Sequence, residues 1–112
     1  MSNIDVHGQA TDPAAIFAAL GDRTRLDLLA TLSDGQTRSI ARLSTGRELT
    51  RQAVTKHLRV LEDAGLVRSV RVGRESRYAF RPEPVAAART YLDTVSAHWD
   101  DALFRLKSLV EG

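Results

Sequence analysis

The sequence predicts a mainly α-helical domain with one small β-hairpin, its elements in the order ααααββα. Three observations lead there. Apolar residues recur at helical spacing in successive segments before residue 65 and again along the C-terminal part. Only between residues 66 and 80 does the apolar period fall towards two, on either side of a glycine. The size also fits: 112 residues, 43% apolar and 27% charged, make one soluble domain around one core and exclude multi-domain enzymes and large α/β barrels.

Residues 1–11 are polar and aperiodic, and are expected to be a mobile arm ahead of a single domain over 12–111. Asp12-Pro13 reads as an N-cap followed by proline at the first helical position. The helix it opens carries Ile16, Phe17 and Leu20 on one side and stops at Gly21. Asp22 caps the second helix, in which Leu26, Leu29 and Leu32 recur before Ser33-Asp34-Gly35 ends it. A short third helix, about Ser39 to Thr45, would bury Ile40 and Leu43 before Gly46 breaks it. Thr50 caps a longer fourth helix, Arg51 to about Ala64, closed by Gly65. Its Val54, Leu58 and Leu61 form one apolar stripe. Leu66–Val72 and Ser76–Phe80 then alternate loosely around Gly73-Arg74-Glu75, which reads as a hairpin. Pro82 and Pro84 end the second strand and open a last helix, about Pro84 to Glu111.

Helices three and four joined by a turn make a helix-turn-helix, and the hairpin after them makes a wing. Charge is concentrated on the same stretch. Residues 44–81 hold nine Lys/Arg and four Asp/Glu, whereas the rest of the chain holds seven and ten. A basic block inside an otherwise acidic chain is the usual footprint of a polyanion-binding face; a solvated basic surface is the alternative.

Other classes find little support. No apolar run approaches the roughly 20 residues of a membrane span. The N-terminus lacks the basic start and apolar stretch of a secretory signal, so the chain is expected in the cytoplasm. Zero cysteines exclude disulfides, thiolate metal sites and Cys nucleophiles. His7, His57 and His98 lie far apart, and no phosphate-cradling glycine loop, HExxH or GxSxG is present, so no catalytic function is expected.

Three segments resemble the ArsR/SmtB family of bacterial winged helix-turn-helix regulators. Ala19-Leu20-Gly21-Asp22-Arg23-Thr24-Arg25-Leu26-Asp27-Leu28-Leu29 is similar to the opening of that family's second helix. Residues 50–67 resemble its recognition helix and the run into the wing, and Arg71–Tyr78 the wing itself. The resemblance covers about residues 12–110, and the middle segment is its most specific part. It implies a homodimer that binds a near-palindromic, double-stranded operator and represses transcription until an unidentified effector, a small molecule or a protein, releases it. Many members sense metals through cysteines on the third helix, which this chain lacks. Others bind zinc on paired C-terminal helices. The nearest residues here, Asp93, His98 and Asp101, lack the usual two-His set, so no metal site is expected.

DNA recognition needs cations for phosphates and short polar side chains for base edges. With Val54, Leu58 and Leu61 in the core, Gln52, Thr55, Lys56 and Arg59 lie roughly opposite, with Arg51 and His57 on the flanks. Gln pairs with adenine N6 and N7, and Thr meets a thymine methyl or a phosphate. The resemblance places Thr50, Gln52, Thr55 and His57 at groove-contacting positions. On the wing, Arg68, Arg71, Arg74 and Arg77 face only one acid, Glu75. Arg71 and Arg74 flank the glycine turn and project furthest, and Arg77 is a further candidate; protection of an edge strand is the alternative. Arg25 is open between a structural and a phosphate-binding role.

The final helix carries Val85, Ala88, Leu92, Val95, Trp99, Ala102, Leu106 and Leu109 at alternating steps of three and four. So long a seam suggests dimerisation through Leu92, Val95, Trp99 and Leu106, helped by Ile16 on the first helix. Folding back onto its own domain is the alternative. A winged-helix module that binds only protein remains the rival function, marked by binding insensitive to salt.

Overall fold

Side-chain caps set where the first four helices begin in the computed structural model, which describes residues 12–111. The arm expected over 1–11 lies outside the described residues. A carboxylate oxygen of Asp12 accepts from the Ala14 amide at 3.1 Å and opens α1 (Pro13–Leu20). Asp22 accepts from the Arg25 amide at 3.1 Å and opens α2 (Arg23–Leu32). Ser39 and Thr50 do the same for α3 (Ile40–Ser44) and α4 (Arg51–Asp63), each at 3.1 Å. Each cap satisfies an amide that the helix itself leaves without a partner.

The C-terminus of α4 is fixed as firmly. Gly65 takes φ +77°, its amide donates to the Glu62 carbonyl, and the Leu66 amide donates to the Leu61 carbonyl, both at 2.9 Å. That pair of bonds is a Schellman motif, and it turns the chain directly into the wing.

The sheet has three antiparallel strands in the order β1-β3-β2: β1 (Arg38–Ser39), β2 (Val67–Val72) and β3 (Glu75–Phe80). β1 departs from the expected ααααββα order. Two residues are too short to display a period, and Ser39 serves both as strand residue and as helix cap. Val72 pairs with Glu75, so Gly73-Arg74 is a two-residue turn, with Gly73 at φ +64° where a II′ turn takes glycine.

The last helix, α5 (Pro82–Glu111), begins two residues earlier than expected. A proline in the first turn removes only an amide that would have had no helical partner, so both prolines fit inside it.

Ile16, Leu28, Leu32, Val54, Leu58, Leu61, Leu66 and Val67 form the innermost core. On α2 the expected stripe is corrected: Leu26 is 51% exposed, while Leu28 is fully buried beside Leu29 and Leu32. Leu28, Leu29 and Leu32 span about 100° of helix rotation and Leu26, Leu29 and Leu32 about 120°, so packing against α4 rather than spacing selects the first set.

α5 meets the body only with its N-terminal part. Ala88 is buried, Val85 packs on the core, and the Tyr91 ring lies 6.2 Å from that of Phe17 on α1. Beyond Asp93 the helix is exposed apart from half-buried Val95 and Ala102. The overhang gives a radius of gyration of 18.2 Å, against about 13 Å for a compact 100-residue domain.

Candidate nucleic-acid interface

The amphipathic split of α4 creates the site. Val54, Leu58 and Leu61 are fully buried, and this anchors the helix with Arg51, Gln52, Lys56 and Arg59 exposed on the other side. Thr55 is half-buried, and its hydroxyl donates to the Arg51 carbonyl at 2.7 Å. Thr50 is exposed at the helix start, with its oxygen accepting the capping bond. Arg51, Gln52, Lys56 and Arg59 therefore share one accessible surface.

His57 sits differently. It is half-buried, with Nδ1 3.8 Å from an Asp22 carboxylate oxygen and 3.4 Å from an Arg25 guanidinium nitrogen. Arg25 also donates to the carbonyls of Ala18 and Ala19 at the end of α1. One guanidinium thus ties α1 to α4. The hydrogen bond from the Arg25 amide lowers the Asp22 carboxyl below its ordinary value, and the charges of His57 and Arg25 add to this against the opposing cost of desolvation. Helical spacing alone puts His57 only on the flank of the exposed α4 face and does not reveal this contact.

The wing arginines divide between two faces. Arg71 lies opposite Ser76, on the same side as Ser69 and Tyr78. The Ser69 hydroxyl donates to a Glu62 carboxylate oxygen at 3.0 Å, so that side is turned towards α4. Arg68 lies opposite Ala79, and Arg77 opposite Val70, on the reverse side. Arg74 occupies the turn, and Arg77 is half-buried with Nε 2.6 Å from Glu75.

The expected dimer residues also separate. Ile16 is corrected: it is fully buried in the chain's own core and presents no surface to a partner. Leu92 and Trp99 are 52% and 65% exposed, Leu106 is exposed, and Val95 is half-buried. Val85 and Ala88 at the start of the seam fold back on the domain. Exposed Leu103, Phe104 and Val110 widen the apolar surface, and a strict seam passes over them. Among the described residues no group of three or more His, Asp or Glu is placed to hold a metal ion.

A helix-turn-helix with a basic, exposed second helix and a basic hairpin behind it defines a winged helix-turn-helix DNA-binding protein. A helix-turn-helix domain family matches residues 20–70. The uncharacterized HTH-type transcriptional regulator YuzN of Bacillus subtilis is 48% identical over 77 residues, 63% of this chain and 84% of that protein. An ArsR-like transcriptional regulator from Rhodococcus sp. RHA1 is similar in structure, with a TM-score of 0.76 and 39% identity over 87% of this chain and 91% of that one. The homodimeric winged helix-turn-helix DNA-binding domain of Mb0332 from Mycobacterium bovis, a possible ArsR-family regulator, matches with a TM-score of 0.59 and 26% identity, covering 75% and 77%. The chain belongs to the ArsR-like family of HTH-type transcriptional regulators, and it is a DNA-binding regulator of transcription.

Proposed function

We propose that the chain acts in the cytoplasm as a homodimeric repressor that grips a near-palindromic operator with two copies of α4 and the wing. The observation that carries this reading is the exposed face of α4. From Arg51 to Leu61 it offers Arg51, Gln52, Lys56 and Arg59 and contains no acidic residue. Gln52 and Thr55 read base edges, while Arg51, Lys56 and Arg59 hold phosphates on either side. Thr50 and His57 complete the helix contact. Arg71, Arg74 and Arg77 add contacts from the wing, Arg74 at its tip.

Homodimer formation draws on the uncovered apolar surface of α5, and the homodimeric state of the M. bovis domain supports it. A long helix with Leu92, Trp99, Leu103, Phe104 and Leu106 exposed loses apolar surface to water unless a second copy covers it. Release by an effector, a small molecule or a protein, completes the regulatory cycle.

The test is selection of duplexes from a randomised pool by the chain itself. Enrichment of one inverted repeat, bound by two chains and released by scrambling either half, supports the reading. A pool that stays random while retaining affinity would remove the operator from it.

A further inference from the structure

A cleft of about 350 Å³ opens between α3 and the wing, beside the recognition face rather than on it. Its walls include Gln36, Thr37 and Ser39, Arg42 on α3, and Glu75 and Arg77 on β3. The strand register sets Ser39 directly opposite Arg77, so both side chains lie on one face of the sheet. This pairing brings residues almost forty positions apart to one spot.

Hydrogen-bond donors are in excess there. Arg38 also lines the cleft but is engaged, donating to both Asp34 carboxylate oxygens at 3.0 and 2.7 Å and to the Thr31 carbonyl at 2.7 Å. Arg77 uses only Nε, on Glu75, and its two terminal nitrogens have no partner among the described residues. The exposed Arg42 guanidinium likewise has none among them. Ser39 accepts from the Arg42 amide, which leaves its hydroxyl proton to donate outward. The single lining carboxylate, Glu75, is already neutralised by Arg77. Two planar guanidinium forks and a hydroxyl, short of acceptors, match an oxyanion.

We propose that Arg42, Arg77 and Ser39 take one backbone phosphate of the bound duplex, a sequence-independent grip outside the major groove. This deepens the DNA reading of α4 and the wing and rests on it. α3 is the first helix of the helix-turn-helix and β3 is a wing strand, so both walls of the cleft belong to elements proposed to meet the duplex, although Arg77 lies on the side of the wing away from α4. A free small anion would need enclosure, and exposed Arg42 leaves the cleft open.

The experiment compares wild type, Arg42→Ala, Arg42→Lys and Lys56→Ala on the selected duplex and on a random-sequence duplex at two salt concentrations. Arg42 is exposed and its guanidinium has no partner among the described residues, so Arg42→Ala should leave the fold intact. Arg42→Ala weakens both DNAs alike, by about tenfold at low salt, with Arg42→Lys recovering part. The salt slope falls by about 0.9 for the one phosphate no longer neutralised. Neutral methylphosphonates placed one at a time then locate a phosphate whose neutralisation weakens wild type but not Arg42→Ala. The grip is overturned if Arg42→Ala binds both DNAs as wild type does while Lys56→Ala flattens the slope. It is equally overturned if inorganic phosphate binds wild type and not Arg42→Ala while DNA affinity is unchanged. If Lys56→Ala is silent and Arg42→Ala is not, the grip stands and only the Lys56 contact is lost, whereas wild type that binds neither DNA overturns the reading on which the grip rests.

Discussion

Nδ1 of His57, in the middle of α4, lies 3.8 Å from a carboxylate oxygen of Asp22, the residue that caps α2. The cap of one helix thereby braces the proposed recognition helix, with Arg25 packed against the same imidazole at 3.4 Å. Asp22→Ala removes both the capping acceptor and the charge facing His57 and Arg25, and it should lower the urea midpoint. Asp22→Asn should recover much of that loss, because Asn caps about as well as Asp and only the charge is gone. Equal midpoints for wild type and Asp22→Ala would show that the cap contributes nothing.

Acid should act through Asp34. The side-chain hydrogen bond from Arg38 lowers its carboxyl to about 2, helped by the Gln36 amide. A folded-state value below the unfolded one means that the stabilisation is full above about pH 4 and is lost as pH falls through about 2. Asp34→Asn should therefore be less stable than wild type at pH 7 but lose less between pH 5 and pH 2. Parallel losses for the two proteins over that range would exonerate the Asp34–Arg38 pair.

The register of α2 makes a prediction about packing. Leu28→Ala empties a fully buried site and should cost about 2–5 kcal/mol in chemical denaturation, whereas Leu26→Ala at a 51% exposed position should cost little. A larger loss at Leu26 would mean that a partner covers it in solution.

That pair of leucines marks where the sequence was legible. Caps at Asp12, Asp22 and Thr50, the stop at Gly65 and the buried stripe of α4 could be read, because each depends on neighbours within one turn of helix. The choice between Leu26 and Leu28 depends on where α4 lies, and no local spacing states that. β1 was hidden by its two-residue length. With β1 unseen, the pairing of Ser39 with Arg77 was unreadable, and so was the cleft it builds. The wing arginines were visible as a cluster, yet their division between two faces follows from the register Arg71–Ser76, which only the paired strands reveal.

The α5 overhang predicts the oligomeric state. Leu92→Asp would place an unpaired carboxylate in the proposed helix–helix contact, which is strongly unfavourable. Sedimentation should show a dimer for wild type and a monomer or weakened dimer for the variant. Operator affinity should fall with it, because the two half-sites no longer act together. A wild-type monomer at micromolar concentration would remove α5 from any such role.

The last prediction separates the labour of helix and wing. A phosphate carries the same charge at every sequence, so arginines that meet phosphates cannot distinguish operator from random DNA. Arg71→Ala and Arg74→Ala should each weaken both DNAs together and reduce the salt slope by about 0.9 for each phosphate no longer neutralised. Arg74 stands at the turn and Arg71 on the side facing α4, so their effects should be nearly additive if they hold different phosphates. Gln52 is exposed on α4, where a helix in the major groove presents it to base edges. Gln52→Ala should cost roughly 1–3 kcal/mol on the selected operator, little on random DNA, and leave the salt slope unchanged. Titration of both DNAs at two salt concentrations decides it. Equal weakening of operator and random DNA by Gln52→Ala would mean that this side chain meets the backbone, and that α4 enters the groove in a different orientation.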